Sequence, residues 1–187
     1  MAESSYLGGQ FLIAMPALSD PNFNRTVSYI CEHSDQGALG IIINRPSDLL
    51  LGDILDQLAL VAATPDLHQE AIYMGGPVQQ DRGFVVHDGV TEWDSSMTIA
   101  DGVQVTTSRD ILAAIATGDG PENRLIALGY AGWGAGQLER EIAANAWLSV
   151  RADSSILFDT PHGARYQAAA NLLGVDLALL STESGHA

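Results

Sequence analysis

The segment Gly129–Leu148, GYAGWGAGQLEREIAANAWL, constrains this chain more than any other. Four glycines and two tryptophans fall between an apolar strand-like segment, Leu125–Leu128, and an amphipathic helical pattern. Glycine and tryptophan crowd together where backbone passes close to something bulky, because glycine lacks the Cβ that would block the approach. Strand-to-helix turns of this kind often cradle phosphates. The dinucleotide fingerprint, however, needs glycines at i, i+2 and i+5. Counted from Gly132 the last position is Gln137, and from Gly134 it is Glu139. Glu139 and Glu141 also place negative charge where an anion would sit. The run therefore reads as a tight structural turn packing Trp133, with Gly132, Gly134 and Gly136 critical to the backbone.

The charge balance narrows the chemistry. Twenty-three acidic residues face eight basic ones in 187 residues, for a formal net charge of -15. All eight basic residues are arginine. With no lysine, Schiff-base chemistry, a phosphate-loop lysine and a lysine general base are excluded. An acidic surface repels phosphate backbones, which argues against direct nucleic-acid binding. Cys31 is the single cysteine, so neither an intramolecular disulfide nor a four-cysteine zinc site can form. The start of the chain lacks a basic n-region, and its apolar run Phe11–Met15 is short for a signal peptide. No segment approaches the ~20 apolar residues of a membrane span. The expectation is a soluble cytoplasmic protein of one domain spanning residues 1–187.

Strands are expected at Phe11–Met15, Thr26–His33 and Ala38–Asn44, the last two joined by the hairpin turn Ser34–Gly37. Further strands are expected at Ala71–Met74, Gly83–His87, Met97–Ile99, Val103–Thr106, Arg124–Gly129, Trp147–Arg151 and Ser154–Phe158. Helical spacing marks Leu50–Leu60, capped by Ser47 or Asp48, and Gln137–Ala146. A capping box, Thr107 with Asp110, opens another helix that stops at Gly118. Thr160-Pro161 opens a last one, ending before Gly174. Strands outnumber helices and many are adjacent, so the class is α+β.

The blocks FLIAMPALSDPNF, RTVSYICEH, GALGIIINRP, GGPVQQDRGFVVH, TTSRDIL, GYAGWGAGQLEREIAANAWL and a closing GHA, in this order, resemble the AlgH/YqgE family over nearly the whole chain. The resemblance implies a bacterial protein whose bifurcated mixed β-sheet with a small closed barrel is flanked by helices. Family members are often labelled transcriptional regulators. The resemblance brings no cofactor, no metal and no catalytic residue.

Several residues are candidates for a site. Cys31 and His33 share one strand face, but a Cys–His nucleophile pair usually comes from separate elements, so Cys31 reads as an inert core residue. The five histidines, His33, His68, His87, His162 and His186, show no metal-ligand spacing. Arg25, Arg45, Arg82 and Arg109 each lie inside a motif block, beside Asn24, Asn44, Asp81 and Asp110. Either they converge into an anion-binding patch, or each is closed by a carboxylate or fixes a loop.

Three functional readings follow. The first is a non-enzymatic regulatory or binding protein. It would hold a protein partner or a small anion in a groove, using Arg25, Arg45, Arg82, Arg109, His33 and Trp133, and any transcriptional effect would be indirect. The second is an enzyme with a polar pocket of His33, Arg82, His87 and Arg109. The third, direct DNA binding, is the weakest, because no basic helix or stripe appears. A gel shift with double-stranded DNA at ~0.15 M salt should give no complex at sub-micromolar protein, since so few cations cannot drive counterion release. A sub-micromolar complex would reinstate the third reading.

Overall fold

A computed structural model describes residues Tyr6–Ser184, with side chains through Leu180. His186 and the closing GHA lie outside the described residues. Ten strands form one branched sheet: β1 (Gln10–Ala14), β2 (Val27–Ser34), β3 (Gly37–Ile42), β4 (Pro46–Leu50), β5 (Ala71–Met74), β6 (Val78–His87), β7 (Ser96–Ala100), β8 (Val103–Thr106), β9 (Arg124–Trp133) and β10 (Trp147–Arg151). The main path runs β10-β1-β2-β3-β9-β6-β8-β7, and the pair β4–β5 joins it at β9. Six helices accompany it: α1 (Leu51–Gln57), α2 (Arg109–Thr117), α3 (Gln137–Ala143), α4 (Ser154–Phe158), α5 (Arg165–Asn171) and α6 (Leu177–Ser184). None of them is long and apolar enough to cross a membrane.

The branch point lies within β9. Its first half pairs in parallel with β5, Ile72 to Ile126 through Met74 to Leu128. Its last residues pair antiparallel with β3, Gly40 to Ala131 through Ala38 to Trp133. Between these two ladders sits Gly129, with φ +80°. Gly75 fills the fork. Its N–H donates to the Leu128 carbonyl, and its carbonyl accepts from Ile42 N–H, both at 2.8 Å. A Cβ on Gly75 would lie 2.3 Å from the Gly129 carbonyl oxygen, and one on Gly76 2.1 Å from the Tyr130 carbonyl carbon. The sheet divides here because side-chain-free backbone lets three chain segments meet.

Two cores lie on opposite faces of β6 and β9, as strand alternation requires. Leu125, Ala127, Phe84 and Val86 join the larger core with β1, β2, β3, α4 and α5. Ile126 and Val85 face the smaller core, where Leu51 and Leu55 of α1 meet Ile111 and Ile115 of α2.

The structure corrects several expectations. The barrel is an open half-barrel. The free edges approach where Arg151, ending β10, meets Asp101, just beyond β7, at 2.7 Å. An exposed ion pair joins them, without a backbone ladder between β10 and β7. Ser154–Phe158 is helical, because the Asp153 carboxylate accepts the Ser155 N–H and caps the first turn. A short apolar run cannot be assigned to strand or helix by periodicity. The strand β4 replaces the expected cap at Ser47 or Asp48: Pro46 begins it, where no N–H is needed, and Ser47 donates to the Ile72 carbonyl. The Thr107–Asp110 capping box does not form. Ser108 is the N-cap, and Asp110 accepts from Ser108 Oγ and from the N–H groups of Asp94 and Ile111. The last helix is split into a 3-10 turn (His162–Ala164) and α5, and α6 continues beyond Gly174.

Of the three glycines expected to be critical, Gly136 keeps that character, and Gly132 and Gly134 do not. Gly136 has φ +72°. A Cβ on Gly134 would meet only Gln137 Oε1 at 3.8 Å, and one on Gly132 only the Tyr130 ring at 3.5 Å. Gly76→Ala and Gly129→Ala should therefore each cost ~2 kcal/mol or more through left-handed strain and backbone collision. Gly134→Ala should stay within ~0.5 kcal/mol of the parent. Denaturant midpoints of the three variants check this ordering.

Candidate functional site

The tryptophan-rich run proves to be a packing unit. Glu141 of α3 accepts the indole N–H of Trp133 at 3.0 Å and that of Trp147 at 2.9 Å on one oxygen. Its other oxygen accepts from Gln137 Nε2. The two indoles meet edge to face, and Phe23 stacks on Trp133. Trp133 is buried and borders an open depression of about 480 Å³ with Tyr130, Gly132 and Leu39.

The histidines are committed elsewhere. His33 Nδ1 accepts the Leu7 N–H at 3.0 Å. A backbone N–H can only donate, so the proton of the neutral ring sits on Nε2. That nitrogen lies 3.2 Å from Glu139 Oε1 but is not aligned for a hydrogen bond. Backbone hydrogen bonding at Glu139 itself, then the contact with His33, holds the Glu139 carboxyl below its ordinary range. His87 is fully buried. Its Nδ1 bonds the Asp88 carbonyl at 2.9 Å and its Nε2 the Thr106 hydroxyl at 2.7 Å, so neither nitrogen is open. Burial, with Glu32 adding to it, pushes the Cys31 thiol far up, so no thiolate is present near neutral pH.

The four motif arginines have different partners, with Arg25 and Arg45 meeting at one loop. Arg25 lies over the Tyr166 ring, 5.3 Å from its centroid. Arg45 closes the Asn22–Arg25 loop through the carbonyls of Asn22 and Asn24 and the Asn24 side chain. Arg82 lies over Phe84 at 5.1 Å. Arg109 donates to the Leu58 carbonyl at 2.8 Å, across from α2 to the C-terminal end of α1. Among the described residues none of the four forms an ion pair; those recorded join Arg124 to Glu70, Arg151 to Asp101 and His33 to Glu139. Of the expected polar pocket of His33, Arg82, His87 and Arg109, the principal cleft takes Arg109 into its lining.

The principal cavity lies beside Arg109. It is a cleft of about 570 Å³. Val85, Ile126 and Leu128 of the sheet form its floor, Leu49, Ile54 and Leu58 one wall, and Leu112 with Arg109 the other. Thr106, Thr107 and Ser108 lie at the start of α2, with Gln80 and Asp81 on the β6 bulge between Val78 and Gly83. The bulge sets those polar side chains at the rim because it interrupts pairing with β9.

The AlgH-like family model matches residues 11–178. The chain belongs to the AlgH-like family. It is 56% identical to the UPF0301 protein of Thioalkalivibrio sulfidiphilus over 187 residues, all of both chains. It is 49% identical to a UPF0301 protein of Methylococcus capsulatus over 99% of this chain and 98% of that one. The solution structure of the AlgH protein from Pseudomonas aeruginosa superposes with a TM-score of 0.81 at 50% identity, covering 97% of this chain and 96% of that one. A crystal structure of a Corynebacterium diphtheriae protein shares the fold, with a TM-score of 0.75 at 23% identity, over 94% and 91% of the two chains.

In this AlgH-like chain the cleft lies between two of the motif blocks, GGPVQQDRGFVVH and TTSRDIL, and α1 closes its third side. The apolar wall was not legible as a site. Leu49, Ile54, Leu58 and Leu112 carry ordinary amphipathic spacing, which reads as core. Their incomplete burial is the distinguishing signal, and sequence does not carry it. Removing the Glu141 carboxylate strands two buried indole N–H groups, so Glu141→Ala should cost ~2–3 kcal/mol. A lowered denaturant midpoint, with altered tryptophan emission in the native state, checks this.

Proposed function

We propose that this AlgH-like protein is a non-enzymatic binding protein of the cytoplasm, and that the cleft between α1, β6 and α2 is its binding site. The observation that carries the reading is an apolar recess of about 570 Å³ left unfilled between two helices that otherwise pack on the same sheet face. That volume falls within the ~300–1,000 Å³ of small-molecule sites, which combine apolar walls with a few polar groups. Leaving such a surface in water forgoes hydrophobic free energy that closer helix packing would recover.

The titratable side chains lining the cleft are Asp81 on the rim and Arg109 on the α2 wall, an acid and a permanent cation. Neither a histidine nor a cysteine lines it among the described residues. The arrangement suits retention of a ligand better than proton or acyl transfer. A regulatory role would run through occupancy of this cleft, and an effect on transcription would be indirect.

Leu112→Trp tests the reading by filling the cleft from one wall. The neutral dye N-phenyl-1-naphthylamine should bind the parent with enhanced emission and bind the variant at least ~10-fold more weakly, a loss of ~1.4 kcal/mol. Equal dye binding by two proteins of equal melting temperature would move the site elsewhere.

A further inference from the structure

We infer that the cleft takes a small amphiphile with a single acidic headgroup, its apolar body against Leu49, Ile54, Leu112 and Leu128 and its anion at Arg109; the inference rests on the cleft reading above. The argument is one of disposition of charge. Arg109 is one of six arginines that form no ion pair among the described residues, and the one of the six that lines the cleft.

The acid nearest in sequence to Arg109 is Asp110. Its carboxylate is consumed by protein donors: the Ser108 hydroxyl at 2.5 Å, the Asp94 N–H at 2.8 Å and the Ile111 N–H at 2.9 Å. Burial alone would raise the Asp110 carboxyl, but these donors, the Ser108 hydroxyl first, hold it below its ordinary range. Asp110 therefore stays ionised and occupied, tied to the Asp94–Ser95 loop rather than to Arg109. Arg109 uses Nη2 on the Leu58 carbonyl. That bond spans the two helices and fixes the guanidinium at the cleft wall. The remaining N–H edge is exposed and meets no protein acceptor among the described residues. Arginine presents a planar fork that matches a carboxylate or phosphate. Asp81 lines the same cleft on the β6 bulge, and neither it nor Arg109 forms an ion pair among the described residues. An amphiphilic anion satisfies both the half-buried apolar walls and the free edge of the Arg109 guanidinium.

The probes are sodium decanoate, decan-1-ol and decyltrimethylammonium, each below its micelle-forming concentration, titrated into ¹⁵N-labelled protein. Decanoate should shift amides of β6, α1 and α2 and bind at least ~10-fold more tightly than decanol, the worth of a charged hydrogen bond. Arg109→Gln should abolish that preference while leaving decanol binding in place, and Arg109→Lys should keep most of it. If decanoate and decanol bind the cleft equally, or the preference survives Arg109→Gln, the acidic headgroup is refuted and the cleft reading stands. Tightest binding by decyltrimethylammonium would assign a cationic headgroup to Asp81 and overturn the inference. If no probe shifts cleft amides, and Leu112→Trp changes nothing, both readings fall together.

Discussion

The structure depends on a single strand edge that serves two partners. One side of β9 is given to β6, and the other is divided at Gly129 between β5 and β3. A strand edge carries one row of hydrogen-bonding groups, so two neighbours can share it only end to end. At the junction the backbone groups still need partners. Gly75 supplies them, donating to β9 at Leu128 and accepting from β3 at Ile42. No residue with a side chain fits, because a Cβ on Gly75 or Gly76 would collide with main-chain atoms of β9. The glycine requirement is thus split between two distant sequence blocks that meet at one point.

The fork also accounts for the cleft. Because β5 takes the first half of β9, the β4–α1 unit is brought over the same sheet face that α2 covers from beyond β8. The two helices approach Ile126 and Val85 from different sides. They are spaced by the Arg109–Leu58 bond rather than by side-chain interdigitation at that end. A gap over the β6 bulge is the geometric result. The site is not an addition to the fold but the place where two branches of the sheet fail to be covered by one layer.

Much of this was legible in the sequence, and the misses are physically ordered. β5, β8 and β10 match their expected bounds because Gly, Pro or polar turns flank short apolar runs. Gly118 closes α2 with φ +89°, as a C-terminal glycine should. The segment Ser154–Phe158 failed because one side-chain cap, Asp153, decides between helix and strand in a short run. The glycine run failed at Gly132 and Gly134 in a subtler way. Density of glycine pointed to Gly132–Gly136, but what matters is the backbone that each glycine meets. That information lies in Gly75 and Gly76, more than fifty residues away. The motif arginines were visible, yet their partners were not, since carbonyls of Asn22, Asn24 and Leu58 carry no residue-type signature.

Those carbonyl partners suit arginine at four of the eight cationic positions. Arg45, Arg109, Arg124 and Arg165 each donate to at least one main-chain carbonyl, and Arg165 reaches both Thr160 and Ile43 from a buried position. Satisfying two or three separated acceptors from one side chain needs a rigid, many-donor fork, which a lysine ammonium does not provide. These four arginines thus act as struts between loops and sheet. Among the described residues most acids are left without a cationic partner, and the formal net charge of the chain is -15. Such a net charge disfavours polyanions at long range. A short-range acidic headgroup is a different case. Once within the cleft it meets the exposed edge of Arg109 at contact distance, across low-dielectric walls where one charged hydrogen bond outweighs the screened field of distant carboxylates.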